Sequence, residues 1–286
     1  MVRALDPRPG AAAFARRCRG RTRAPWSIGA AATDPVRAEL ARQWLVAKLL
    51  RRRRWALHRH VHLLAAFEDA SSRAPIESVL SAGCGSATSE LLLAVDHPDV
   101  RFTLTDHDPE QLDRARAIVE RFGLRNVVVT QVDLLDPPPL PVHDLVVSIE
   151  VLEHIDDDVG AIATIVGLSR RFVWVLVPFC NDREFDDPAV QRAEWERHEH
   201  VRPGYPHEVL ADRLAGLDVV WQRNCYYQPA ASAVRRRLSE TGTARLLLDR
   251  DELFGAVVRD VRAGRVDDSR AAQGVEVLAE LRPRQT

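Results

Sequence analysis

With 286 residues and a formal net charge of −1, the chain has room for one domain with additions and projects no field that would gather nucleic acid or an anionic membrane. Its 46% hydrophobic share suits a packed core, yet no run is long and apolar enough for a membrane span, and no apolar h-region of a signal peptide follows the N-terminal arginines. Cys18, Cys84, Cys180 and Cys225 are scattered without CxxC spacing, so they read as reduced thiols of a cytoplasmic protein.

The first 32 residues are rich in Arg, Ala, Pro and Gly and carry little periodicity, which predicts a disordered or loosely docked arm over 1–32. Asp34-Pro35 has the chemistry of a helix start, with Asp as N-cap and Pro at the first helical position. Val36, Leu40, Trp44, Ala47 and Leu50, then Leu57, Val61, Leu64 and Phe67, recur at helical spacing and predict a helical N-terminal element over 33–72. The four arginines at 51–54, ahead of Trp55, cover every side of a helix and read as a solvated face rather than a phosphate site.

From Ile76 the pattern changes to alternating strands and helices. Strands are predicted at Ser78–Ala82, 101–105, 126–130, 144–148 and 172–177, with helices between them at 87–96, 109–122 and 157–169. Continuous apolar strands alternating with helices imply an α/β fold, a doubly wound parallel sheet covered on both faces. Two further strands, 218–222 and 275–281, bracket a long stretch of mixed helical character that includes Arg235, Arg236 and Arg237 and reads as an insertion.

In such a sheet, ligands sit at the carboxyl ends of the strands. Three strand ends carry suitable groups. Residues 78–89, SVLSAGCGSATS, spell a buried strand, a glycine turn at Gly83-Cys84-Gly85 and a helix start. Asp106 ends the second strand 21 residues beyond Gly85, where a carboxylate accepts both hydroxyls of a ribose. Asp133 follows the third strand and is placed to accept from an adenine amino group. Thr88 stands where the last glycine of a G-x-G-x-x-G dinucleotide fingerprint would be, which argues against a nicotinamide site.

On these motifs the chain resembles the class I S-adenosylmethionine (SAM)-dependent methyltransferases. VLSAGCGSA is similar to their first motif. The run HDLVVSIEVLEHIDDD over 143–158 resembles their fourth strand and the turn after it, and residues 198–220 resemble the approach to their sixth strand. The resemblance implies a mostly parallel seven-stranded sheet with an antiparallel last strand, plus the helical N-terminal element and a C-terminal insertion. The implied division is a SAM-binding core over 73–228, a helical acceptor lid over 229–272, and a final strand and tail over 273–286. It implies SAM as cofactor, held by Ser81, Gly83, Cys84, Gly85, Asp106, His107, Asp133, Leu134 and Glu150. Two residues depart from the family pattern. Ser81 replaces an acid that helps hold the methionine amino group, and Ala87 replaces the third glycine, a mild change because a methyl group fits at a helix start.

Methyl transfer from a sulfonium asks the protein to align an acceptor and exclude water; a hydroxyl acceptor also needs a base. His154, His200 and His198 are the candidates, with O-methylation of a small molecule or saccharide as the expected reaction. Glu150, Glu153 and His154 share one face if their segment is helical. That spacing also resembles the E-x-x-E-H cluster of metal-dependent methyltransferases acting on the 3′-terminal 2′-hydroxyl of small RNAs, which would make Glu150, Glu153, His154 and His198 or His200 metal ligands. The aromatic FEW expected downstream is VRP here. A SAM-binding partner subunit without turnover is a third reading, kept open by Ser81. Trp195 and Tyr205 flank the histidines and read as core packing before acceptor stacking.

Overall fold

A computed structural model describes Trp44, residues 56–227, 232–233, 255, 257–259, 261–262 and 272–282. The predicted arm, the Asp34-Pro35 helix start, the arginine run at 51–54, Arg235 to Arg237 and most of the insertion lie outside the described residues.

The element order is α1 (Ala56–Arg73), β1 (Ser78–Ala82), α2 (Thr88–Asp96), β2 (Arg101–Asp106), α3 (Pro109–Phe122), β3 (Val127–Gln131), β4 (His143–Ile149), a one-turn 3₁₀ helix (Leu152–His154) and α4 (Asp158–Gly167). There follow β5 (Ser169–Pro178), α5 (Asp182–Phe185), α6 (Pro188–His198), α7 (His207–Arg213), β6 (Asp218–Cys225) and β7 (Gly274–Glu280). The sheet has the order β3-β2-β1-β4-β5-β7-β6. Pairings from β3 through β5 are parallel, and β7 runs antiparallel to both β5 and β6. This is the sheet the sequence predicts, including its antiparallel last strand.

Successive side chains of the central strands enter two different cores. Val79, Leu145, Val147, Phe172 and Trp174 pack with α1, α2 and α3, while Leu80, Val146, Val173 and Val175 pack with α4 and α7. The helices follow from local chemistry. In α3, Asp108 accepts from the Glu110 N–H, Pro109 opens the helix, Gly123 closes it in the left-handed region, and Leu112, Ala115, Ile118 and Phe122 form its buried stripe. β5 and β6 run longer than their apolar segments predict. Antiparallel pairing to β7 carries polar Arg223 and Asn224 into the ladder, because a backbone partner, not side-chain burial, decides where a strand stops.

Buried polar groups fix the register and dock α1. At the amino ends, Asp144 of β4 accepts from the N–H groups of Glu77 and Ser78, the Ser78 hydroxyl and Arg170. Burial alone would raise its pKa; these donors outweigh burial and hold it low. On β7, fully buried Glu276 accepts from Trp174 Nε1 at 3.0 Å and Arg223 Nε at 2.5 Å, and lies 2.8 Å from His62 Nδ1 of α1. Burial again pushes the carboxyl up, and His62 and Arg223 bring it below the ordinary range. Val257, Val258 and Val261, described helical residues of the insertion, are buried in the same core as α1.

Removing the charge from Glu276 takes the carboxylate partner from buried His62 and leaves Arg223 the more distant Asp69, at 4.0 Å. We expect Glu276→Gln, equal in size, to lower unfolding free energy by about 3 kcal/mol in urea titration. Because the folded carboxyl is held below its unfolded pKa, its contribution is present above pH ~4.5 and disappears as pH falls further.

Candidate functional site

The carboxyl ends of β1, β2, β3 and β4 open on a cavity of about 830 Å³, a size ordinary for a small-molecule site. Its floor is the turn after β1. Gly83, Gly85 and Ala87 all have left-handed backbone, with φ of 74°, 52° and 49°. The N–H groups of Gly83 and Cys84 both donate to Thr105 O, which ties the turn to the end of β2. A Cβ on Gly83 would lie 2.4 Å from a Val151 methyl, whereas one on Gly85 would meet nothing within 4 Å. Gly83 is therefore a packing glycine, and Gly85 leaves a bare backbone on the cavity wall. The methyl of Ala87 does fit, as expected. The cost lies instead in its left-handed backbone, about 1 kcal/mol for a residue with a Cβ.

Asp106 accepts from Gly85 N–H with Oδ2 (2.7 Å) and from Asp108 N–H with Oδ1 (2.9 Å). Each oxygen keeps a lone pair, so the pinned carboxylate can still accept from two vicinal hydroxyls. Asp133 Oδ1 accepts from Leu135 N–H, leaving its other oxygen toward solvent between buried Val132 and Leu134. Exposed His107 stands beside Asp106. A bare glycine backbone, a pinned diol acceptor, and an apolar slot with one acceptor fit an adenosine. The Cys84 thiol is buried and held neutral by that burial.

Ser81 departs from its assigned place. It does not line the cavity; it lies beneath the wall, and its hydroxyl donates to Glu90 Oε1 at 3.1 Å. Glu90, in the first turn of α2, does line the cavity, and sequence reasoning passed over it. The available signal was a lone acid in an otherwise apolar helix start, TSELLL.

The segment after β4 also differs from expectation. Glu150 has φ 53° and donates its N–H to Leu176 O, so no helix includes it. Only Leu152–His154 coil, as a single 3₁₀ turn, and Glu150, Glu153 and His154 therefore share no face. Glu150 reaches the cavity but its carboxylate is engaged by Arg59 and, at 3.3 Å, His58 Nε2 of α1. Glu153 turns inward. It is fully buried, neither oxygen has a hydrogen-bond partner among the described residues, and burial pushes its pKa up to about 8. His154 turns outward onto the cavity, and its Nδ1 lies 3.2 Å from the carbonyl oxygen of Glu199. A carbonyl only accepts, so Nδ1 carries the proton and Nε2 keeps the lone pair. Burial holds His154 below its ordinary pKa, and burial with His154 nearby pushes His200 down to about 4.

His154 and His200 meet edge to face at 4.7 Å between ring centroids, and the His198 ring is 5.2 Å from that of His200; neither His198 nor His200 lines the cavity. Glu153, His154 and His200 bring three donor atoms within 4.8 Å of one another, without Glu150. The expected ligand set is corrected to that extent, because Glu150 is committed to α1. Arg202, not anticipated, fixes this corner by donating to the carbonyls of Leu152, Ile155 and Asp156. Tyr205 is fully buried and donates to Asp158, so it packs in the core, whereas Trp195 is 55% exposed beside the cavity.

Residues 80–170 match the family model described as a methyltransferase domain. No curated protein matches the chain by sequence. Among solved structures, the chain is similar to a candidate sarcosine dimethylglycine methyltransferase from Galdieria sulphuraria, at 15% identity and TM-score 0.56 over 79% of this chain and 86% of that one. It is also similar to coclaurine N-methyltransferase bound to N-methylheliamine and SAH, at 16% identity and TM-score 0.52 over 76% and 71%. A third is the cyclase SpnF, at 18% identity and TM-score 0.51 over 75% and 79%. At these identities the structures establish the fold and leave the acceptor open. Residues 80–170 thus match a methyltransferase domain, and the described sheet has the α/β fold of these solved structures.

Proposed function

We propose that the protein methylates a hydroxyl of a small molecule or saccharide, with His154 as the base. The observation that carries this reading is the Nδ1 contact of His154 with the Glu199 carbonyl, which leaves Nε2 free to accept on the wall of the cavity that holds the glycine turn. SAM supplies, when bound, a methyl group already activated on a positively charged sulfur. The rest is the chain's own work. Gly83, Cys84 and Gly85 shape the floor, Asp106 and Asp133 with Leu134 hold the adenosine, and His107 borders it. Neutral His154 removes the acceptor's proton, and His200, also neutral, keeps a second positive charge away from a developing imidazolium. Trp195 offers an aromatic wall to the acceptor. The free, buried cysteines Cys84, Cys180 and Cys225 suit the cytoplasmic setting we infer, and no helix among the described residues is long and apolar enough to cross a membrane. In this reading α1 and the insertion form the acceptor side.

His154→Ala should lower kcat by about 100-fold or more while leaving SAM affinity, read by calorimetry, within a factor of about two. Full turnover in both His154→Ala and His200→Ala removes the assignment. SAM binding with no turnover over fractionated cell extract would favour the partner-subunit reading. The wild-type rate should rise with pH through a value below the ordinary histidine pKa of ~6.5, as His154 loses its proton.

A second reading rests on a separate observation: the orphaned carboxylate of Glu153 lies within 4.8 Å of donor atoms on His154 and His200. In it these three residues hold a divalent metal beside the acceptor. EDTA then abolishes activity and manganese or magnesium restores it; an EDTA-insensitive enzyme excludes it. Glu153 also makes a stability prediction. Its folded pKa lies above its unfolded value, so its contribution is fully present below pH ~4.5 and is lost as pH rises through about 8. Glu153→Gln should melt higher than wild type by a margin that grows across that range, in thermal scans at several pH values. If a metal occupies the cluster, adding manganese at alkaline pH should raise the wild-type melting temperature and leave that of Glu153→Gln unmoved.

A further inference from the structure

We propose that Glu90 is the anionic partner of the cofactor's primary ammonium, taking from α2 the role that position 81 does not fill. This rests on SAM being the ligand of the cavity and names the residue that recognises its charged amino-acid end.

The chemistry sets the requirement. An ammonium brought into a closed site needs a carboxylate, because a buried unpaired charge costs several kcal/mol. Among the other carboxylates on this cavity, Asp108 caps α3, and the three at the strand ends are already engaged or assigned. Asp106 is pinned by two backbone N–H groups next to the diol site. Asp133 lies beyond β3 beside the adenine slot. Glu150 is bound by Arg59 and His58. Glu90 differs from all of these. It is 5% exposed, lines the cavity directly behind the glycine turn, and is met by its own backbone N–H and by the hydroxyl of Ser81, both neutral donors. Arg59 is the cation whose field reaches it, and that guanidinium is bonded to Glu150. Burial raises the Glu90 pKa ahead of every other influence. A carboxylate desolvated without its own cation is a site prepared for one.

The serine at 81 then has a physical reason. Its Oγ sits 3.1 Å from Glu90 Oε1, so an aspartate there would place a second carboxylate against the first, and two such groups at that separation cannot both ionise. Position 81 and position 90 can hold one acid between them. Ser81, only 1% exposed, donates its hydroxyl and thereby turns Glu90 toward the cavity instead of carrying the charge itself. Ser81 is a positioning residue, and Glu90 is the ligand.

The test uses calorimetry on the full chain with three probes: SAM, S-adenosylhomocysteine and methylthioadenosine, which lacks the amino-acid end. For Glu90→Gln we expect SAM and S-adenosylhomocysteine to weaken by about 10- to 100-fold, the range of a charge-assisted hydrogen bond, while methylthioadenosine stays within about twofold. That third probe also reports that the variant is folded with its adenosine site intact. Moving the acid back, in the double variant Ser81→Asp with Glu90→Ala, should recover much of the lost SAM affinity, whereas Ser81→Asp alone should weaken it. Unchanged SAM binding by Glu90→Gln, or equal loss for all three probes, overturns the proposal and leaves the cofactor reading standing. A wild-type chain that binds none of the three overturns the cofactor reading with it.

Discussion

Everything at the functional edge depends on β1 being buried on both faces between two parallel neighbours. None of its five residues reaches solvent, and β2 and β4 flank it in parallel register. A strand so enclosed fixes the position where its chain must turn. Because its neighbours run parallel, their carboxyl ends arrive at the same edge. The glycine turn after β1, Asp106 after β2 and Glu150 after β4 are therefore neighbours by topology, although 65 positions separate Gly85 from Glu150. Asp144 secures the opposite end by gathering the first N–H groups of β1, so the sheet cannot slip and carry the turn away from its partners.

The molecule manages its buried acids in contrasting ways. Asp144 and Glu276 are surrounded by donors and cations that outweigh desolvation, and both are held as anions. Glu90 and Glu153 are buried as deeply with far fewer donors, and both are pushed upward. The first pair lies at strand starts and in the core, where it locks β4 and α1 into place. The second pair lies at the cavity and beneath its rim. The contrast follows position: acids that lock the sheet and α1 are compensated, and the two at the cavity and its rim are not.

The sheet was legible because its strands are apolar runs of the right length separated by amphipathic helices, and α3 came with both caps written in sequence as Asp108-Pro109 and Gly123. The glycine turn and strand-end acids that meet at the cavity were legible for a related reason: such groups occupy fixed places in a doubly wound sheet. The region after β4 was not. EVLEH has helical spacing, and the left-handed Glu150 that breaks it arises from tertiary demands, the Glu150 N–H bonding to Leu176 O and its carboxylate reaching α1. Arg202 and Glu90 were missed for the same reason. Their roles come from contacts across 50 positions in one case and from a serine nine positions earlier in the other, and no local period encodes either.

The docking of α1 decides how the acceptor side is held. His62 meets Glu276 where both are sealed from water, and a buried, multiply bonded contact of this kind is costly to open. One turn earlier, Arg59 and His58 meet Glu150 at the cavity, with the Arg59 side chain 45% exposed. That guanidinium is exposed, so its own share of the contact is at most about 1 kcal/mol. His58 beside it is buried and stacks on Tyr227 at 4.1 Å between ring centroids, so the helix is fixed at its cavity end as well as at His62. The α1 wall of the cavity is therefore tied to β7 through Glu276 and to the end of β4 through Glu150, so the wall and the strand ends hold one fixed geometry.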